Sequence, residues 1–308
     1  MLAMPDCVSV RVPATSANLG CLFDCGALAL SLYLSVRVTL RGDGAIAVRY
    51  RGETPERISE GADNLIARTL RDTLHGWGVK RGFDLEIDNQ IPVGVGLGSS
   101  AAAIVAAISA AHWLANRNLL DQEIISLGSH LEGHPDNVAA AWEGGFTLAV
   151  QTGGRVAAFS CPVAESLQFA LVVPDYAVPT EKARAALPDS YSRTDAVHNL
   201  QRGAAVAAQF FAGRTDFRRE LFDDRWHQPY RAALVPGLRE ALGVSHPDIL
   251  GLCLSGAGPS LLAFVRGDAR PAGQAIQERL KQQGVDSRAF ALAADNRGAK
   301  SRSQPTCE

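Results

Sequence analysis

The sequence predicts an α+β protein, because strands and helices are mixed along it without strict alternation. Three stretches carry that prediction. The first quarter is mostly β, a glycine-rich segment near residue 95 runs into an alanine-rich helix, and a strand, glycine loop and strand follow one another around residue 255. The 308 residues, 47% of them hydrophobic, can furnish the core of one large domain or two modest ones.

Taken in order, residues 8–12 alternate as a strand, which the turn formers of 13–20, P-A-T-S-A-N-L-G, are expected to break. The period-two pattern S-L-Y-L-S-V-R-V-T-L predicts a long strand over 27–40, and 45–50 a third beyond a turn. Asp63 is the expected cap of a helix over 65–74, and the strand 82–89 delivers the chain to the glycine-rich stretch. Beyond it come a helix from Ala101, another over 121–130, and a strand over 146–151. Pro162 marks a domain boundary, dividing the chain into 1–161 and 162–294. The second part reads as a strand (169–173), a helix over 181–187 capped by Thr180, a long helix (195–212), a shorter one (217–222), two strands flanking S-G-A-G-P-S (255–260), a helix (268–283) and an edge strand (288–293). Residues 295–308 are polar and aperiodic, and a flexible tail is expected there.

The stretch P-V-G-V-G-L-G-S-S-A-A-A (92–103) holds three glycines and two serines at the head of an apolar helix. The first N–H groups of a helix lack internal partners and carry partial positive charge, and glycine lets a phosphate approach the backbone. No Asp or Glu occurs from Pro92 to Leu120, although acids are favoured in a first turn. By itself the stretch is compatible with an anion site or with a turn capped by Ser99 or Ser100. It lacks the Lys-Ser/Thr ending of a Walker loop and does not fit a dinucleotide fingerprint.

Composition excludes several classes of function. Thirty basic residues against 32 acidic ones, net charge −2, give no support for nucleic-acid binding. The longest apolar run, 101–115, is too short to span a bilayer, and the first residues lack the pattern of a signal peptide. Six cysteines are scattered among apolar or small neighbours; buried thiols in a reducing, cytoplasmic setting are expected, with Cys21 and Cys25 too isolated to form a metal site.

Three motifs, V-P-A-T-S-A-N-L-G (12–20), P-V-G-V-G-L-G-S-S-A (92–101) and S-G-A-G-P-S (255–260), together resemble those of the GHMP kinases, in the same order. The resemblance implies a two-domain α+β fold, ribosomal-protein-like in its N-terminal half and ferredoxin-like in its C-terminal half, with the active site between. It implies ATP and Mg²⁺: Asn64 near the adenine; Pro92, Gly94, Gly96, Leu97, Gly98, Ser99, Ser100 and Ala101 around the phosphates; Ser100 and Glu132 on the metal.

The flanking E-G-H-P-D-N-V-A (132–139) and P-T-E-K-A-R-A-A-L-P (179–188) look like the branch of the family that phosphorylates the hydroxyl of L-homoserine. That implies Arg184 and Arg231 on the substrate carboxylate, which a planar guanidinium suits, and Asn18, Asp24, His134 and Asn137 around its hydroxyl and ammonium. Asn137 stands where other branches have a catalytic aspartate; with Asn18, and with Thr180 beside the transferred phosphate, it makes up the expected catalytic set. Without the resemblance, Arg184 reads as an exposed partner of Glu181 and Arg231 as a surface charge. His198 could in principle act as a base, but a single histidine on an apolar helix is more often packed. The family's glycine before Phe-Asp is replaced by Leu22 in G-C-L-F-D; leucine would be strained if that position has positive φ. Competing readings are a kinase for another small alcohol, such as a mevalonate-type isoprenoid precursor, and a non-catalytic binding protein of the same fold. A homodimer is a further implication of the resemblance.

Overall fold

The computed structural model describes residues 5–301, 303 and 304. Two antiparallel-rich sheets organise it. The first has strands β1 (Cys7–Asn18), β2 (Leu22–Arg41), β3 (Ile46–Gly52), β4 (Gly82–Asn89), β5 (Phe146–Thr152), β6 (Arg155–Cys161) and β11 (Ser303–Gln304), with spatial order β11-β1-β2-β4-β3 and the β5–β6 hairpin attached to β2. Among the described residues, β3 and β4 are the pair that runs parallel. The second sheet, order β10-β7-β9-β8, comprises β7 (Leu167–Pro174), β8 (Ile249–Leu254), β9 (Leu261–Arg266) and β10 (Ser287–Leu292). The chain thus passes from the first sheet to the second between Cys161 and Leu167.

Helices α1 (Leu65–Gly76), α2 (Ser99–Leu114), α3 (Asp121–Glu132) and α4 (Asp136–Glu143) cover the first sheet. Helix α2 is buried almost all round, and its alanines allow this close approach. After α5 (Thr180–Ala185) comes α6 (Arg193–Phe211), which brings Phe210 between the sheets; its ring stacks 4.1 Å from Phe146 of β5 and lies 6.1 Å from Phe264 of β9. The period of two in β9 serves two cores: Leu262 and Phe264 join the core shared with the first sheet, whereas Leu261, Ala263 and Val265 face α9 (Ala269–Gln282). Two short helices, α7 (Gln228–Arg231) and α8 (Leu238–Leu242), complete the second half.

Several expectations are corrected. The motif after residue 12 does not break β1; the strand continues to Asn18 through bulges at Pro13/Ala14 and Ala17/Asn18, and its hydroxyls find side-chain partners instead of solvent. Asn64, not Asp63, caps α1, accepting from the N–H of Ile66 and Ala67. Thr180 is the first residue of α5, and Pro179 occupies the cap position. Residues 217–222 contain a short 3₁₀ turn rather than an α-helix. Helix α4 and strand β6 had no clear signal, since α4 is buried without amphipathic contrast. Cys21, Cys25, Cys161 and Cys253 are free thiols, but Cys7 is disulfide-bonded, against the expectation of thiols throughout.

The expected flexible tail is also corrected for the described residues. Asp295 is buried and accepts from Tyr33 Oη at 2.8 Å and from the N–H of Arg297 and Gly298. The Asn296 amide pairs with both backbone groups of Val163, and β11 adds to the edge of β1. Polar composition misled here because the Asp295 and Asn296 side chains bond Tyr33, Val163 and their own turn, while backbone groups of Ala293 and Asp295 pair with Ser31 and Ala29 of β2. Residues 302 and 305–308 lie outside the described residues. No described helix is long and apolar enough to cross a membrane.

Leu22 is not at positive φ; the left-handed non-glycine residues nearby are Asn18, Leu19 and Asp24. Its side chain fills space that Gly26 and Gly203 leave open, since a Cβ on Gly26 would come within 2.7 Å of it. Leu22→Ala is therefore expected to cost about 2–5 kcal/mol of stability by opening a cavity, measured by urea unfolding; a loss below about 1 kcal/mol would show that the space collapses.

Candidate active site

The first and third motifs meet over the glycine-rich stretch. Thr15 N–H donates to the Leu97 carbonyl, Gly256 N–H donates to the Ala17 carbonyl, and Ser255 Oγ donates to the Gly96 carbonyl at 2.7 Å while lying 2.8 Å from Ser16 Oγ. A Cβ on Gly96 would lie 2.2 Å from the Ser255 carbonyl oxygen, and one on Gly98 2.0 Å from Thr15 Oγ1; both glycines also have positive φ. Gly98 is the N-cap of α2 and supplies no side-chain cap, and no acid follows in the first turn. The first amides of the helix are accordingly left for an external anion.

This N-terminus opens on a cleft of about 430 Å³. Its lining includes Tyr50, Asn64, Leu65, Ile87, Asn89 and Val93, the glycine-rich loop residues Gly94 and Gly96–Ser100, and Asn18, Asp24, Glu132, His134, Asn137, Thr180, Arg184 and Arg231. Of the residues expected on the phosphates, Pro92 and Ala101 are buried and do not line the cleft. Asn64 reaches it while its side chain caps α1 and donates to the Ser59 carbonyl. His198 bonds the Asp223 carbonyl and lies outside the cleft.

Ser100 Oγ donates to Glu132 Oε2 at 2.7 Å. Burial pushes the Glu132 carboxyl up from its ordinary pKa, against the Ser100 hydrogen bond. These hard oxygens beside the anion-ready amides fit Mg²⁺, whose remaining positions would be water and phosphate. Among the described residues, no group of three or more His, Cys, Asp or Glu is arranged to hold a metal.

Arg184 is paired not with Glu181 but with Asp24, through two bonds of 2.8 and 2.9 Å. Arg231 is no surface charge: it is 2% exposed, and burial pulls its pKa down to about 10. Its Nε donates to the Ala183 carbonyl and its Nη1 to Gly256 O and His227 Nδ1, which leaves Nη2 toward the cleft. Both guanidiniums lie near the Phe23 ring, at 5.9 and 5.5 Å. Neither presents a whole free fork, a geometry the residue types alone could not show.

Asn18 donates to the same Gly256 carbonyl and accepts from Asp24 N–H. Thr15 Oγ1 donates to Asn137 Oδ1 at 2.7 Å, and Asp136 accepts from Asn137 N–H and from His134 Nδ1 at 3.0 Å. Burial opposes a charged His134, but the hydrogen bond and charge of Asp136, with Glu132, outweigh it and raise its pKa. Sequence reasoning missed Thr15, Ser255 and Gly256 although all three sit inside recognised motifs. Tyr50 and Asn89 had no signal, because their meeting depends on the parallel pairing of β3 with β4.

Comparison with known proteins adds to this geometry. The model for the GHMP kinases N terminal domain matches residues 64–145, and that for GHMP kinases C terminal matches 212–285. The chain is 40% identical over 297 residues to the homoserine kinase of Solibacter usitatus, covering 94% of this chain and 95% of that one. It is 39% identical to that of Desulfitobacterium hafniense, with 95% and 99% covered. The crystal structure of homoserine kinase from Cytophaga hutchinsonii superposes with a TM-score of 0.82 at 26% identity, covering 99% of this chain and 98% of that one. The Methanococcus jannaschii mevalonate kinase structure, at 0.62 and 15% identity over 93% and 98%, shows likeness of fold alone.

Gly96→Ala is expected to lower kcat/KM for ATP at least about tenfold, because the added methyl must displace the Ser255 carbonyl and the loop backbone at the start of α2 together. Steady-state kinetics check this; a parental KM for ATP would show the loop to be more pliable than its packing implies.

Proposed function

This chain belongs to the homoserine kinases of the GHMP kinase family, and from that premise we propose how its cleft phosphorylates L-homoserine. The observation that carries the reading is a single cleft that brings an uncapped helix N-terminus together with apolar side chains (Leu65, Ile87 and Val93) and with the charged Asp24, Arg184 and Arg231. The apolar side chains suit the adenine. Backbone amides of Gly96, Gly98, Ser99 and Ser100 hold the phosphates, and Ser100 with Glu132 holds the metal. Bound there, Mg²⁺ neutralises phosphate charge during transfer.

Homoserine is a zwitterion, so a desolvated site must offer it both signs of charge. Arg231 Nη2 and Arg184 receive its carboxylate, and Asp24 with the acceptor groups beside His134 receives its ammonium. The Asp24–Arg184 pair then opens or is shared, so neither charge stands unpaired before the substrate arrives. Asn18 and Asn137 orient the hydroxyl, and Thr180 borders the path of the phosphoryl group.

Neither Asp24 nor Asp136 is free to act as a strong base. Asp24 is held by Arg184, and Asp136 is occupied by His134 and the Asn137 backbone. A loose transition state needs positioning and charge neutralisation more than proton abstraction, and the hydroxyl proton can leave on the phosphate itself. A cytoplasmic setting and a homodimer belong to this reading through family membership.

ADP release from Mg-ATP with L-homoserine, beside L-serine, L-threonine, mevalonate and no acceptor, tests the function; turnover confined to mevalonate would overturn it. Arg231→Ala is expected to raise the KM for homoserine about 10- to 100-fold with ATP binding nearly intact, because a charged hydrogen bond is lost. Equal loss of both would remove Arg231 from the carboxylate site. Glu132→Ala should lower kcat and shift the Mg²⁺ dependence upward, and an unchanged metal titration would exclude Glu132 as a ligand.

A further inference from the structure

His227 immediately precedes α7, one helical turn before Arg231, and is fully buried without a place in the mechanism above. Its two ring nitrogens have partners of fixed character. Nε2 lies 2.8 Å from the Gly20 carbonyl oxygen, which can only accept, so Nε2 carries the proton. Nδ1 lies 3.1 Å from Arg231 Nη1, which can only donate, so Nδ1 is a bare acceptor. The ring is therefore the neutral Nε2–H tautomer. A proton on Nδ1 would set donor against donor and charge against charge in a buried place.

The imidazole is held from all sides. Asp224, buried, accepts from the N–H groups of Trp226, His227 and Gln228 and from Asn199 Nδ2, fixing the turn that leads into α7. Phe23 stacks on the ring with centroids 5.5 Å apart, and the same Phe23 ring lies near Arg231 and Arg184. With Nη1 shared between His227 and Gly256 O, and Nε on Ala183 O, rotation of the guanidinium is blocked at three points.

We propose that His227 is a positioning residue for homoserine: its bare Nδ1 takes one Nη1 proton of Arg231, anchors the guanidinium to the Gly20 carbonyl, and so aims Nη2 at the substrate carboxylate. The proposal rests on the assignment of Arg231 to that carboxylate. His227 touches no substrate and acts only through Arg231.

The test compares H227F, which keeps the stack on Phe23 but removes both nitrogens, with H227Q, which keeps one donor and one acceptor at similar separation, and with R231A. H227F should raise the KM for homoserine about tenfold or more, since it removes a hydrogen bond to a charged group, with the KM for ATP and kcat within about threefold of the parent. H227Q should recover most of the loss. In the R231A background, H227F should add nothing, because the residue through which it acts is gone. An equal rise in both KM values, an undiminished effect of H227F on top of R231A, or no effect of H227F would overturn the proposal. A parental homoserine KM in R231A would instead fail the functional reading on which it rests. If H227F does not fold, H227N takes its place in the same comparison of the two KM values.

Discussion

Everything at the centre of this molecule depends on one short-range interaction: the backbone of the glycine-rich loop pressed against the backbone of residues 255–258. Gly96 has no room for a side chain because the Ser255 carbonyl stands where a Cβ would go, and Ser255 ties the loop back to β1 through Gly96 O and Ser16. Gly256 then serves both halves of the cleft, giving its N–H to Ala17 and its carbonyl to Asn18 and Arg231. The glycine-rich loop, Asn18 and the buried Arg231 are thus held to one another through the strand-joining turn at 255–258.

All but one of the charged groups named in the cleft have a polar or oppositely charged side-chain partner close by. Arg184 faces Asp24, His134 faces Asp136, and Ser100 donates to Glu132. A site prepared for a zwitterion and a polyphosphate would otherwise hold like charges at close range in a partly desolvated space. Arg231 has no carboxylate partner of this kind; its three hydrogen bonds go to two carbonyls and a neutral imidazole. That is a costlier way to keep a cation, and it is the ground on which we propose Arg231 for the substrate carboxylate.

Much of this was legible in the residues. The α+β class, the long strand β2, the glycine loop and helix α2 follow from periodicity and from the absence of acids at the helix start. The charged residues were identifiable only through motif resemblance, because composition cannot distinguish a half-exposed Arg184 from any surface arginine. Pairing was not legible: Asp24 and Arg184 are 160 positions apart, and Arg231 is buried by segments spread from Phe23 to Gly256. Local rules failed where tertiary partners override them. The hydroxyls of 13–18 looked like turn formers yet lie in a buried strand, and the polar stretch after Leu292 looked solvated yet satisfies the first sheet.

That last stretch bears on the order in which the protein can be made. Asp295 O accepts from Gly145 N–H, Asp295 N–H donates to Ala29 O, and a Cβ on Gly298 would strike the Trp142 carbonyl, so Ala29, Trp142 and Gly145 are covered by a segment that follows them in the chain by about 150 to 270 residues. Without that segment the first sheet would have an open β1 edge and an unpaired Gly145 N–H just after α4. Tyr50, Ile87 and Asn89 of the cleft wall stand on that sheet, so the wall reaches its final packing only once the segment 293–304 has joined strands laid down far earlier in the chain.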